Sequence, residues 1–146
     1  MTAQVESQGK RQPLINGKVI MTGTKKRILL VDDEEVILFG FKQVLSGPDL
    51  RVDTASNVNE ARSLAGKNSY AAAVVDLRLS NSTVMEGLEV IALLKSTQKN
   101  CRIIVLTAYG EDEVRRKTIE AGADLFLEKP VDPNIISQNL KTLGVY

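Results

Sequence analysis

The sequence predicts an α/β fold: a five-stranded parallel sheet, doubly wound as a (βα)5 sandwich, in a single domain. Three observations predict it. Five short apolar runs alternate with segments of helical period over residues 25–146. The runs are nearly continuous rather than alternating apolar with polar, as in strands covered on both faces of a parallel sheet. The 146 residues also fall far short of a closed eightfold barrel, which needs about 250.

The elements follow in order. Arg27-Ile28-Leu29-Leu30-Val31 is the first strand and breaks off at Asp32-Asp33. A helix carrying Val36, Ile37, Phe39, Phe41, Val44 and Leu45 runs to the stop at Ser46-Gly47-Pro48. Val52–Ala55 is the second strand, and Asn57 caps a helix that reaches about Lys67. Ala71–Val75 forms the third strand and ends in Asp76; a helix over Glu86–Thr97 follows, with Leu88, Val90, Ile91, Leu93 and Leu94 apolar. Arg102–Leu106 is the fourth strand, ending in Thr107. The helix Glu111–Ala121 opens on three acids and continues into Arg115-Arg116-Lys117, an order that suits the helix dipole, and Gly122 ends it. Asp124–Leu127 is the fifth strand, followed by Glu128-Lys129-Pro130. Asp132 then caps, and Pro133 starts, a last helix with Ile135, Ile136, Leu140 and Leu143 expected to face inward. Residues 1–24 hold Gly9, Pro13, Gly17 and Gly23 without a sustained period and are expected to be a flexible N-terminal tail ahead of a domain over 25–146.

Composition narrows the chemistry. With no histidine, the chain has no His-ligated metal, no His general base and no Ser-His-Asp or Cys-His triad. The single cysteine, Cys101, forms no internal disulfide and suits a reducing compartment. A formal net charge of +1 argues against a dedicated nucleic-acid clamp, and no apolar run reaches the ~18 residues of a membrane span. A cytoplasmic protein with no membrane partner is the expectation.

Open parallel sheets place their sites at the carboxyl ends of the strands. Those ends carry Asp32 and Asp33, then Asp76, Thr107 and Lys129. Three carboxylates in one pocket repel, at roughly 3 kcal/mol per pair about 5 Å apart in an effective dielectric of about 20. Such a cluster needs a cation, and an all-oxygen ligand set suits Mg²⁺ or Mn²⁺ rather than zinc or copper. With the Lys129 ammonium and the Thr107 hydroxyl added, the set makes a phosphoryl-transfer site in which Asp76 can be the nucleophile.

In these motifs, Leu29-Leu30-Val31-Asp32-Asp33-Glu34, Val74-Val75-Asp76, Leu106-Thr107-Ala108 and Glu128-Lys129-Pro130, the chain resembles the receiver (response-regulator) domain of two-component signalling from about Lys25 to the C-terminus. The resemblance implies that Asp76 accepts a phosphoryl group from a phosphohistidine on a histidine kinase or histidine phosphotransfer protein. It implies Mg²⁺ held by Asp33, Asp76 and the main-chain carbonyl of Arg78, with Asp32 acting directly or through water, and Thr107 and Lys129 on the phosphoryl oxygens. It further implies a cis Lys129-Pro130 bond, a switch aromatic at Phe126, and a face of the fourth helix, fifth strand and fifth helix that changes shape for a downstream protein target. On this pattern the chain is not an enzyme but a phosphoacceptor that assists its own phosphorylation and dephosphorylation. Since the chain ends at Tyr146, just after the last helix, no output domain is expected on it.

Two features depart from the family's usual sequence. Ser80 takes a common proline position, and Gly87 lies 11 residues past Asp76, so Leu79–Met85 reads as a lengthened loop. Arg78 and Tyr109 each follow a motif residue by two positions and are expected to shield the phosphoryl group from water. The altered loop supports an alternative, a non-phosphorylated receiver-like interaction module. A flavodoxin-type cofactor carrier would want a Ser/Thr/Gly-rich phosphate loop where this chain has four acids. A metal-dependent phosphatase would add a capping insertion, and none is long enough here.

Overall fold

The computed structural model describes residues 3–7, 10–15, 18–19, 25–79, 85–108 and 111–146, with side chains from residue 25 onward except at position 85. Three short strands come first: β1 (Ala3–Ser7), β2 (Lys10–Ile15) and β3 (Lys18–Val19), paired antiparallel in the order β1-β2-β3. They lie within the segment 1–24 expected as a tail. Ile15 pairs with Lys18, and the sequence between them is Asn16-Gly17, a strong local hairpin signal that needs little apolar content.

The remaining chain is the (βα)5 repeat. It runs β4 (Lys26–Val31), α1 (Glu35–Leu45), β5 (Leu50–Ala55), α2 (Val58–Lys67), β6 (Ala72–Asp76), α3 (Met85–Thr97), β7 (Arg102–Thr107), α4 (Asp112–Glu120), β8 (Leu125–Glu128) and α5 (Pro133–Thr142). The five strands are all parallel, in the order β5-β4-β6-β7-β8. The order reverses beside β4, and the crevice at such a switch point is where sites form in doubly wound sheets.

Alternate residues of each strand feed two cores. Ile28, Leu30, Val74, Ile104 and Leu106 pack with Leu38, Phe41 and Leu45 of α1 and with Ile136 and Leu140 of α5. Leu29, Val31, Val75, Ile103 and Val105 pack with Ala61 and Ala65 of α2 and with Val90, Ile91 and Leu94 of α3. Ile135, expected to face inward, is 42 % exposed, because the inward stripe of α5 passes through Ile136 and Leu140. Cys101, just ahead of β7, is buried.

Helix ends follow local chemistry. Asn57 accepts from the Glu60 N–H at 2.9 Å and Asp132 from Asn134 N–H at 2.8 Å, each satisfying an orphan donor of the first turn. Gly122, at φ +113°, closes α4 in a conformation that L side chains avoid.

The start of α3 is tied to the segment after β6. Gly87 N–H donates to Leu77 C=O at 3.1 Å, and a Cβ at position 87 would lie 2.4 Å from Leu77 Cα. Gly40, inside α1, has open space around the corresponding position. Gly87→Ala is therefore expected to destabilise the protein by about 1–3 kcal/mol through overpacking. Gly40→Ala is expected to stabilise it by about 0.5–1 kcal/mol through helix propensity alone. Urea unfolding of both variants checks the pair, and equal effects would contradict the close approach.

Candidate functional site

Register brings the strand tips together. Val31 pairs with Val75, Asp76 with Leu106 and Thr107 with Glu128, so Asp32, Asp76, Thr107 and Lys129 emerge at one end of four adjacent parallel strands. Asp32 is held by its own turn, with Oδ1 accepting from the Glu34 N–H at 2.9 Å. Asp76 Oδ1 accepts from the Arg78 N–H at 3.3 Å. The Lys129 N–H donates to Thr107 C=O at 2.7 Å, fastening β8 to β7 next to the site. The Lys129-Pro130 bond is cis, as the resemblance implied.

The Lys129 ammonium sits between two of the acids. Nζ lies 2.8 Å from Asp32 Oδ2 and 3.3 Å from Asp76 Oδ2. Asp32 and Asp76 are buried, at 4 % and 6 % exposure, and Asp33 is half-buried. One carboxylate oxygen from each of Asp32, Asp33 and Asp76 lies within 4.8 Å of the others. All-oxygen donors this close fit a small hard divalent cation such as Mg²⁺, and their mutual repulsion favours one. Asp32, Asp33 and Asp76 would hold it.

The charges show in the titration of the pair. Burial pushes Asp76 up to about 6; the nearby Asp32 charge adds to this, while Lys129 and the Arg78 N–H oppose it. Burial alone would lower Lys129, but its hydrogen bond to Asp32 and the charges of Asp32 and Asp76 outweigh that and raise it. At neutral pH the pocket therefore holds an ionised Asp76 carboxylate beside the Lys129 ammonium.

The remaining predicted residues fall at different distances from this centre. Thr107 is fully buried at the tip of β7. Phe126 is 5 % exposed and lies inward, under the Arg115 guanidinium at 4.8 Å from the ring centroid. Arg78 contributes its main chain beside Asp76. Tyr109, Ser80 and most of the loop read over Leu79–Met85 lie outside the described residues.

Two features escaped sequence reasoning. Arg115 is one of three consecutive basic residues whose order suits the helix dipole, and nothing in the sequence marks it as the residue that covers Phe126. Val36 and Phe39, in the first turns of α1 next to the acids, are 82 % and 67 % exposed. The run Val36-Ile37-Leu38-Phe39 was the available signal, since four consecutive apolar residues cannot all face inward on a helix.

Comparison with known proteins agrees with this geometry. The family model for the response regulator receiver domain matches residues 28–141. The chain belongs to that family. It is 34% identical over 126 residues to the photosynthetic apparatus regulatory protein RegA of Cereibacter sphaeroides, covering 86% of this chain and 67% of RegA. It is 38% identical over 116 residues to the transcriptional regulatory protein SrrA of Staphylococcus aureus, covering 80% of this chain and 46% of SrrA. The chain thus spans about two-thirds of one curated relative and under half of the other. Among solved structures, it is similar to a Burkholderia pseudomallei response regulator with a phosphorylated aspartic acid, calcium ion and citrate, at TM-score 0.73 and 35% identity over 81% of this chain and 68% of that one. It is also similar to a CheY-like receiver domain from Methanospirillum hungatei, at TM-score 0.74 and 29% identity over 83% of this chain and 95% of that one. Among the described residues of this receiver, no helix is long and apolar enough to cross a membrane.

The raised Asp76 value has a consequence for stability. The folded state holds the Asp76 proton more tightly than the unfolded chain, so ionising it opposes folding. This cost is absent below 3.8 and fully present above about 6. Without divalent ions, Asp76→Asn is expected to be more stable than the parent above that window, by on the order of 2 kcal/mol, and to lose the advantage as pH falls through it. Thermal melts across pH in chelator measure this; a pH-independent difference would contradict the burial argument.

Proposed function

We propose that this receiver is phosphorylated on Asp76 by a phosphohistidine of a histidine kinase or histidine phosphotransfer protein, with Mg²⁺ at Asp33, Asp76 and the Arg78 carbonyl and with Asp32 beside it. The observation that supports it most is the three-carboxylate cluster bridged by Lys129. In the transfer, an Asp76 carboxylate oxygen forms a bond to phosphorus as the P–N bond to the partner's imidazole breaks. The imidazole nitrogen leaves with the electron pair and takes up a proton. Lys129 is already placed to follow the charge from the carboxylate to the phosphoryl oxygens, and the Thr107 hydroxyl is a further donor at the adjacent strand tip. Bound Mg²⁺ supplies additional neutralisation of those oxygens. Arg78 and Tyr109, following the motif residues, shield the product from water. The chain on this reading turns over no substrate of its own; it carries the phosphoryl group and assists its arrival and loss.

The readout runs through Phe126. New acceptor oxygens on Asp76 hold Thr107 and its loop inward, and the inward Phe126 packs without a hydroxyl to satisfy. Arg115 stacked on the ring couples α4 to that position. The α4–β8–α5 face, where Ile119 and Ile135 are exposed, is the surface for a downstream protein target.

Exposed Val36 and Phe39, at the start of α1 beside the acids, mark the contact for the phosphohistidine-bearing partner. Phe39→Ala is therefore expected to slow phosphorylation by the partner protein about tenfold or more, while leaving phosphorylation by acetyl phosphate, which needs no docking surface, unchanged. Phosphate-affinity gels with both donors, and Asp76→Asn as control, measure this. Labelling that persists in Asp76→Asn, or none with either donor in Mg²⁺, overturns the proposed function and leaves a receiver-like interaction module.

A further inference from the structure

The end of the sheet opposite Asp76 carries a groove of about 1400 Å³. Seven cationic residues line it against one carboxylate, Asp124. The arginines are already matched: Arg27 with Asp53 at 3.7 Å and Arg102 with Asp124 at 3.3 Å. Lys25, Lys26, Lys67, Lys95 and Lys99 are exposed and make no salt bridge among the described residues. Cations at helix C-termini often answer only the helix dipole, which covers Lys67 and Lys95 in the last turns of α2 and α3. It does not cover Lys25, Lys26 or Lys99, which lie outside the helices and still converge on the same groove.

The floor of the groove is fixed. Gln98 donates to Ala65 C=O at 3.0 Å and Asn68 C=O at 3.1 Å, and accepts from the Tyr70 N–H at 2.8 Å. This ties α2, the start of β6 and the end of α3 together. Lys95 lies across Gly122, where a Cβ would meet its Cε at 2.6 Å, so its stem is seated rather than loose.

We infer that this groove docks an acidic, extended polypeptide segment of a partner protein. Point-charge lysines spaced along a concave surface match carboxylates on an extended chain, and exposed Ser69, Thr97 and Asn100 in the lining offer hydrogen bonds to its main chain. Single-stranded nucleic acid fits less well: the one aromatic in the lining, Tyr70, is 4 % exposed and its hydroxyl donates to Asp53, so no ring is open for base stacking. A bilayer fits less well because the surface is concave and none of the exposed large apolar residues lies in it.

The test is fluorescence anisotropy of a labelled Glu/Ser-rich peptide with the full chain. Binding is expected, weakening as salt is raised. Reversing Lys67, Lys95 and Lys99 to Glu together is expected to weaken it at least about tenfold, whereas Lys42→Glu on α1, outside the groove, leaves it unchanged. Lys25→Gln with Lys99→Gln, which touches no helix, gives a smaller loss in the same direction and guards against misfolding of the triple variant. No peptide binding, equal binding by the groove variants, or tighter binding of oligo-dT or anionic vesicles than of the peptide overturns the inference. Phosphorylation of Asp76 by acetyl phosphate is read in parallel, so that failure here is separable from failure of the proposed function.

Discussion

One ammonium group makes the rest of this site feasible. Lys129 Nζ is shared between Asp32 and Asp76, and without it the repulsion between the buried carboxylates would have to be met by another cation. That placement depends on sheet geometry. Lys129 follows β8, at the far side of the sheet from β5, and reaches across β7 to the tips of β6 and β4. The main-chain bond between Lys129 and Thr107 holds its base in place while the side chain spans the gap. Asp76, its ammonium neighbour and the Thr107 hydroxyl are thus fixed by parallel register rather than by loops.

The same topology polarises the whole domain. Parallel strands joined by helices send every helix N-terminus toward the site, and the first turns of α1, α2, α3 and α4 carry acids. The last turns of all five helices carry lysine. A net charge of +1 conceals this separation. The acidic end suits a divalent ion, and the basic end suits an anionic group.

Much of this was legible in the residues, and the limits have physical causes. Continuous apolar runs ending in Asp32, Asp76, Thr107 and Lys129 sufficed for the sheet and for the meeting of those residues at one end of it, because parallel pairing puts strand ends together whatever the helices do. Caps at Asn57 and Asp132 depend on near neighbours and were equally readable. Side-chain meetings between distant elements were not: Arg115 covers Phe126 only because α4 crosses β8 as it does, and the groove lysines come from segments far apart in sequence. The exposure of Ile135 and Phe39 shows a related limit. An apolar residue on a helix is assigned inward by composition, but the packing of α1 and α5 on the same core leaves room for only one stripe from each.

Calorimetric titration of Mg²⁺ into the parent chain and into Lys129→Met tests most directly whether Lys129 is the resident counter-ion of the carboxylate cluster. Removing a positive charge that competes for Asp32 and Asp76 should tighten Mg²⁺ binding, by roughly tenfold for a charge pair of this separation partly screened by solvent. Unchanged or weaker binding in the variant would contradict the account.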